Sequence, residues 1–252
     1  MPNAALVAVR RAVRVCLAMA LVAGPAACGR PAEGPDGPRV VTTSLGAVEP
    51  LVEVTVFCDY QCPECRRTER VLTPLLTHFP VDVAIRYRAF PLVSVHPLAR
   101  DAAVYVLAAT RQGGFGCIHR MLVTRQDDWT SDTPADFRTR VAGFAVACGL
   151  DAARFEADAG DAALAREVDA DTALARDLEA PGTPTILVHG LKPERWAKPG
   201  VATRDLLVPT LRRELQAAEA LLAGGAARRD IPRLLTAKRR GEAFAGQLFG
   251  AF

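Results

Sequence analysis

Three cysteines fall within the segment V-E-V-T-V-F-C-D-Y-Q-C-P-E-C, residues 52–65. Cys62 and Cys65 form a C-x-x-C pair at the point where a β-branched run gives way to a helical pattern. Two sulfurs so spaced can make and break a disulfide, or grip a soft metal as thiolates. At the first turn of a helix, the Cys62 sulfur faces backbone N–H groups that have no helical partner. Those groups favour a thiolate, the nucleophilic form. Cys58 is a third sulfur, at the end of the preceding apolar run. A cysteine in that position reads as a small inert hydrophobe.

The elements that must hold these sulfurs can be read from periodicity. Val52 to Cys58 is a nearly continuous apolar and β-branched run, the mark of a central strand covered on both faces. Cys62 to Leu76 follows as a helix, with Val71, Leu72, Leu75 and Leu76 at helical spacing and Pro74 expected to kink it. Val81 to Phe90 alternates at period two and predicts a second strand, completing a βαβ unit. A short edge strand is expected at Val40 to Thr43. From Pro97 to Glu179 the patterns are helical, with Asp132 or Thr133 as the cap of a helix over Pro134 to Cys148. Strand character returns at Thr185 to His189, after Pro181-Gly182-Thr183-Pro184. A last amphipathic helix is expected from Thr203 to Ala223, interrupted by Pro209.

The formal charge of +3 over 252 residues conceals a division along the chain. Residues 1–28 carry Arg10, Arg11 and Arg14 and no acid; without them 28 basic residues face 28 acidic ones. The stretch from Gly224 to Phe252 is +4, which leaves residues 29–223 at −4. A body of that sign offers no electrostatic footprint for nucleic acid. The N-terminus reads as an export signal: a basic start, then a short apolar run from Val15 to Ala23, too short to cross a bilayer. Pro25-Ala26-Ala27-Cys28 resembles a bacterial lipoprotein signal, with Cys28 as the lipidated residue and Pro25 where that pattern prefers a larger apolar side chain. An ordinary signal peptide cleaved nearby is the alternative. Both place the mature protein in the periplasm or on an extracytoplasmic membrane surface, where disulfides persist. Residues 29–38, rich in Pro and Gly, read as a flexible linker.

F-C-D-Y-Q-C-P-E-C, then S-V-H-P-L-A-R-D-A-A, then G-T-P-T-I-L-V together resemble the DsbA-type branch of the thioredoxin superfamily. The resemblance spans residues 39–223. It implies an α/β thioredoxin-like fold with an inserted α-helical domain at about 95–180, and a protein thiol-disulfide oxidoreductase without a cofactor or bound metal. It implies that Cys62 is the exposed nucleophile and Cys65 the buried resolving thiol. Pro184 matches the family's cis-proline, with the Thr183 backbone free to pair with a substrate chain. Its partners would be protein thiols and disulfides and a membrane redox protein of DsbB or VKOR type. Two departures stand out. Val56 occupies a position where the family commonly has an acid, which leaves proton transfer at Cys65 to water or another group. Between the cysteines stand Pro63 and Glu64, and Glu64 places a like charge beside the Cys62 thiolate, opposing ionisation and making the pair less oxidising.

Cys117 and Cys148 both fall in the inserted helices. In an exported protein they read as a second, structural disulfide, with two buried free thiols as the alternative. Cys16 lies within the signal. A rival reading takes F-C-x3-C-P as similar to the copper-binding segment of Sco-type proteins. It would make the chain a copper chaperone using Cys58 and Cys62 with one of His78, His96, His119 or His189. The C-x3-C-x2-C spacing also resembles a radical-SAM iron–sulfur site, a reading at odds with export. The 224–252 tail places Ile231, Leu234, Leu235, Phe244, Leu248 and Phe249 roughly on one helical face, to rest either on an anionic membrane or on the protein's own body, with Gly241 weakening a single helix.

Overall fold

The computed structural model describes residues 43–189 and 204–249, with the backbone alone for 242–249. The signal segment with Cys16 and Cys28, the 29–38 linker and most of the expected Val40 strand lie outside the described residues. The sheet is built from β1 (Ser44–Gly46), β2 (Val52–Cys58), β3 (Val83–Ala89) and β4 (Thr185–Val188), in the order β1-β3-β2-β4. β2 and β3 run parallel, while β1 and β4 are antiparallel to their neighbours. β2 is thus a central strand, which explains its unbroken apolar character.

Alternation along β2 sends Val52, Val54, Val56 and Cys58 into the main core, while Phe57 joins Phe90, Ala175 and Leu187 in a second cluster. Helix α1 (Pro63–His78) connects β2 to β3 and runs through Pro74. It buries Cys65, Thr68, Glu69, Leu72 and Leu75. Those positions share one face of a 3.6-residue helix, so the two polar ones are carried into the core with the leucines.

Five helices fill the connection between β3 and β4: α2 (Ala99–Thr110), α3 (Phe115–Thr124), α4 (Pro134–Ala147), α5 (Ala152–Ala159) and α6 (Ala162–Asp177). Helix α2 is buried over Ala102–Thr110 and packs against α3, α5 and α6. Its run of small alanines lets neighbouring helices approach from several sides. Thr133 caps α4, its hydroxyl accepting from the Asp136 N–H. Cys117 in α3 and Cys148 at the end of α4 are joined by a disulfide with Cα atoms 5.8 Å apart.

The C-terminal helices are α7 (Arg204–Ala223) and α8 (Ile231–Phe249). α7 continues through Pro209 instead of breaking there. The proline stands near the helix start, so the lost bond is the single one to the Asp205 carbonyl. α8 packs on α7 and on β2, with Ile231 and Leu235 fully buried, and it continues through Gly241. Arg239 of α8 reaches the buried Glu214 of α7 at 3.0 Å. Ile231 and Leu235 therefore face the protein's own body, while Leu234 between them is exposed. Among the described residues, no helix is long and apolar enough to cross a membrane.

Candidate active site

β2 ends at Cys58, and the turn Asp59-Tyr60-Gln61 delivers Cys62 as the N-cap of α1. Pro63 at the first helical position has no N–H to leave unpaired and holds a helix-ready φ. The turn is fixed from three sides. The Asp59 carboxylate, 1% exposed, accepts from the Gln61 N–H at 2.8 Å and the Leu92 N–H at 2.9 Å, and it pairs with His96 Nδ1 at 2.8 Å. Gln61 accepts from the Leu98 N–H at 2.6 Å and donates to the Thr130 carbonyl at 3.0 Å. Gln126 donates to the carbonyls of Tyr60 at 2.8 Å and Cys62 at 3.0 Å.

Cys62 and Cys65 are free thiols, and both are buried, at 6% and 3% exposure. Cys62 is therefore not the exposed thiol that the resemblance implied. It lies under the Thr183–Pro184 loop, its sulfur donating to the Thr183 carbonyl at 3.5 Å, and the Thr183–Pro184 peptide bond is cis. The Cys62 sulfur makes no capping bond to the helix N–H groups. Its pKa is pushed well up, first by the hydrogen bond with Cys65 and then by burial, against a smaller downward pull from Thr183. Glu64 does not enter that balance: its carboxylate turns outward and pairs with Arg67 one turn on.

Cys65 accepts from the Asp59 N–H at 3.4 Å and is pushed up chiefly by burial. Of the neighbouring thiols, Cys58 pushes its pKa further up and Cys62 pulls it down. Cys65 in turn pulls Cys58 down, but burial and the nearby charges of Glu69 and Asp59 leave the Cys58 pKa raised.

Behind the sulfurs lies a buried polar cluster that no sequence pattern assembles. Glu69, one helical turn past Cys65, accepts from the Tyr87 hydroxyl at 3.1 Å and lies 3.5 Å from His119 Nε2. His119 Nδ1 and the Tyr60 hydroxyl are 3.0 Å apart. Val56, 1% exposed, is apolar core as expected, and the buried acid of this cluster comes from α1 instead of β2. The spacing of Cys65 and Glu69 was the available signal, because residues four apart share a helix face. His119 and Gln126 come from the inserted helices, and nothing in their local sequence points at the cysteines.

Among the described residues, no group of three or more His, Cys, Asp or Glu is arranged to hold a metal ion. The histidines of the copper reading are otherwise engaged: His96 with Asp59, His119 with Tyr60, and His78 stacked edge-on against Phe79. His189 is buried beneath α7.

This fold, a parallel βαβ start with a C-x-x-C at its helix cap and a cis-proline loop opposite, defines a thioredoxin-type protein. The thioredoxin family model matches residues 39–198, and the chain belongs to that family. A thioredoxin-like oxidoreductase from Silicibacter pomeroyi is 26% identical, with a TM-score of 0.54 over 72% of this chain and 94% of that one. BdbD from Bacillus subtilis shares the fold at 20% identity, with a TM-score of 0.58 over 70% of this chain and 94% of its own. A Na(+)/H(+) antiporter NhaA 3 from Salinispora tropica is 33% identical over 145 residues, 58% of this chain. That match spans only 21% of the antiporter, so the chain covers about a fifth of the length of the curated relatives it matches.

Proposed function

We propose that this protein is an exported thiol-disulfide oxidoreductase that exchanges disulfides with protein substrates through Cys62 and Cys65. The observation that carries this reading is the placement of two adjacent free thiols at a helix start, with Cys62 against the Thr183 carbonyl and the cis-Pro184 loop. The likeness to the Silicibacter pomeroyi protein, a thioredoxin-like oxidoreductase, supports it. In the oxidising direction a substrate thiolate attacks the Cys62 sulfur of the Cys62–Cys65 disulfide. The S–S bond breaks, Cys65 leaves as a thiolate and takes up a proton, and a mixed disulfide forms. A second substrate thiolate then displaces Cys62, and the substrate is oxidised as the pair is reduced. In the reverse direction Cys65 resolves the mixed disulfide. The backbone of Thr183 would position the substrate segment.

Because both thiols are held in the protonated form, reduction gains no stabilised thiolate. The pair is accordingly a weak oxidant, poised toward the reducing end. Export, supported by the N-terminal pattern, supplies oxidisable partners. A membrane protein of DsbB or VKOR type would recharge the pair in the oxidising direction, and lipidation at Cys28 would keep it at the membrane.

The test equilibrates the full chain with glutathione buffers and follows the Cys62–Cys65 couple, alongside catalysed reduction of a disulfide protein. The expected result is one reversible two-electron couple, with activity abolished in Cys62→Ser. No exchangeable couple, or activity that survives Cys62→Ser, would overturn the reading.

A further inference from the structure

We propose that Cys58 is a third redox thiol, so that Cys65 can close a disulfide with Cys58 as well as with Cys62. This rests on the exchange chemistry just assigned to the pair and adds a second closed state to it.

Cys58, Cys62 and Cys65 are all free and all buried, and the Cys65 sulfur lies 3.4 Å from the Asp59 nitrogen, the peptide nitrogen that directly follows Cys58. A sulfur packed against the backbone next to Cys58 needs only a modest side-chain adjustment to reach bonding geometry with it. Space for it exists: Cys58, Tyr60, Tyr87 and Leu107 line a cavity of about 20 Å³, enough for one water or a shifted thiol. An inert core cysteine would instead be surrounded by apolar groups. Cys58 faces a polar quarter made by Glu69, Tyr60 and Tyr87, with Asp59 adjacent in the chain.

The exchange balances without an outside oxidant. The Cys58 thiolate attacks Cys65 Sγ in the Cys62–Cys65 disulfide, the Cys58–Cys65 bond forms and the Cys62–Cys65 bond breaks. Cys62 leaves as a thiolate and takes up the proton that Cys58 gave away. The protein's oxidation state is unchanged, but its chemistry differs. Cys62 becomes a single reactive thiol with no resolving partner, able to capture a substrate yet unable to release it through Cys65. Cys58 thus offers a route between two-thiol and one-thiol behaviour within one chain.

Cys62→Ser isolates the second pair, and serine suits the helix-cap position, so the fold should hold. The full chain carrying Cys62→Ser is equilibrated with glutathione and glutathione disulfide, quenched with an alkylating agent and digested with trypsin. The peptide from Val40 to Arg66 holds all three cysteine positions. Formation of Cys58–Cys65 consumes one glutathione disulfide and yields two glutathiones, leaving most of this peptide two hydrogens lighter and unalkylated. Double replacement with Cys58→Ser should remove that species. Both thiols remaining alkylatable, or one carrying only glutathione, across buffers that fully oxidise the wild-type peptide would overturn the proposal. The Cys58→Ser peptide, read in parallel, reports the Cys62–Cys65 couple alone, so a failure of that couple shows separately. Should Cys62→Ser misfold, Cys62→Ala carries the same measurement.

Discussion

The carboxylate of Asp59 and the imidazole of His96 lie 2.8 Å apart, beneath the turn that presents Cys62. Asp59 also accepts from two backbone N–H groups, so one buried side chain fastens the redox turn to the loop that follows β3. Asp59→Ala strands the Gln61 and Leu92 N–H groups and should cost about 2–4 kcal/mol in urea unfolding, while Asp59→Asn keeps an acceptor and should cost less. The alanine variant should also speed alkylation of the buried Cys62–Cys65 dithiol, because a loosened turn opens access to it. Unchanged stability in Asp59→Ala would show that the turn is held by other means.

The hydrogen bond with Cys65 is the largest influence raising Cys62. Cys65→Ala removes it, and the Cys62 pKa should fall relative to the dithiol protein, as followed by thiolate absorbance or by the pH dependence of alkylation. By contrast Glu64→Gln should shift Cys62 little, since that carboxylate is matched by Arg67. A larger shift in Glu64→Gln than in Cys65→Ala would reverse this ranking.

The Cys117–Cys148 bond closes a loop with a sequence separation of 31, wholly within the inserted helices. Replacing both with alanine should lower stability by about 3–4 kcal/mol through the freed entropy of the unfolded chain. The potential of the Cys62–Cys65 couple should stay the same. A shift in that potential would mean that the two sulfur pairs communicate.

His189 is buried, neither ring nitrogen has a hydrogen-bond partner, and its pKa falls from 6.5 to about 4, burial outweighing the pull of Glu214. The folded state therefore disfavours the charged ring. As pH drops from 6.5 to 4 the unfolded chain takes up a proton that the folded one refuses, and stability declines by on the order of 3 kcal/mol. His189→Asn, which tolerates the positive φ of 52° there, should flatten this part of the melting-temperature profile. A profile as steep in the variant as in the wild type would locate the acid sensitivity elsewhere.

The βαβ core was legible because β2 and α1 carry strong, unmixed periodicities, and C-x-x-C has meaning only at their junction. Thr183 and Pro184 could be placed against the cysteines through the family resemblance, across about 120 residues that no local pattern bridges. The burial of Cys62 was not legible. It depends on how closely the Thr183–Pro184 loop descends, and spacing carries no such information. Proximity in sequence suggests an influence for Glu64 on Cys62, whereas at the second helical position its side chain points to solvent and to Arg67. Glu69, His119, Tyr60 and Tyr87 meet only once α1, α3, β3 and the turn after β2 are packed, which is why no local pattern announces this polar cluster.

Gln126 follows α3, in the insertion, and its amide grips the carbonyls of Tyr60 and Cys62. Gln61 is tied in turn to Leu98 and Thr130, also in the insertion. Transplanting the Val52–Cys65 stretch onto a bare thioredoxin scaffold would therefore carry the sulfurs but not the scaffolding that aims them. Any minimised version of this protein has to retain the helices as a jig for the turn, even if every substrate contact lies elsewhere.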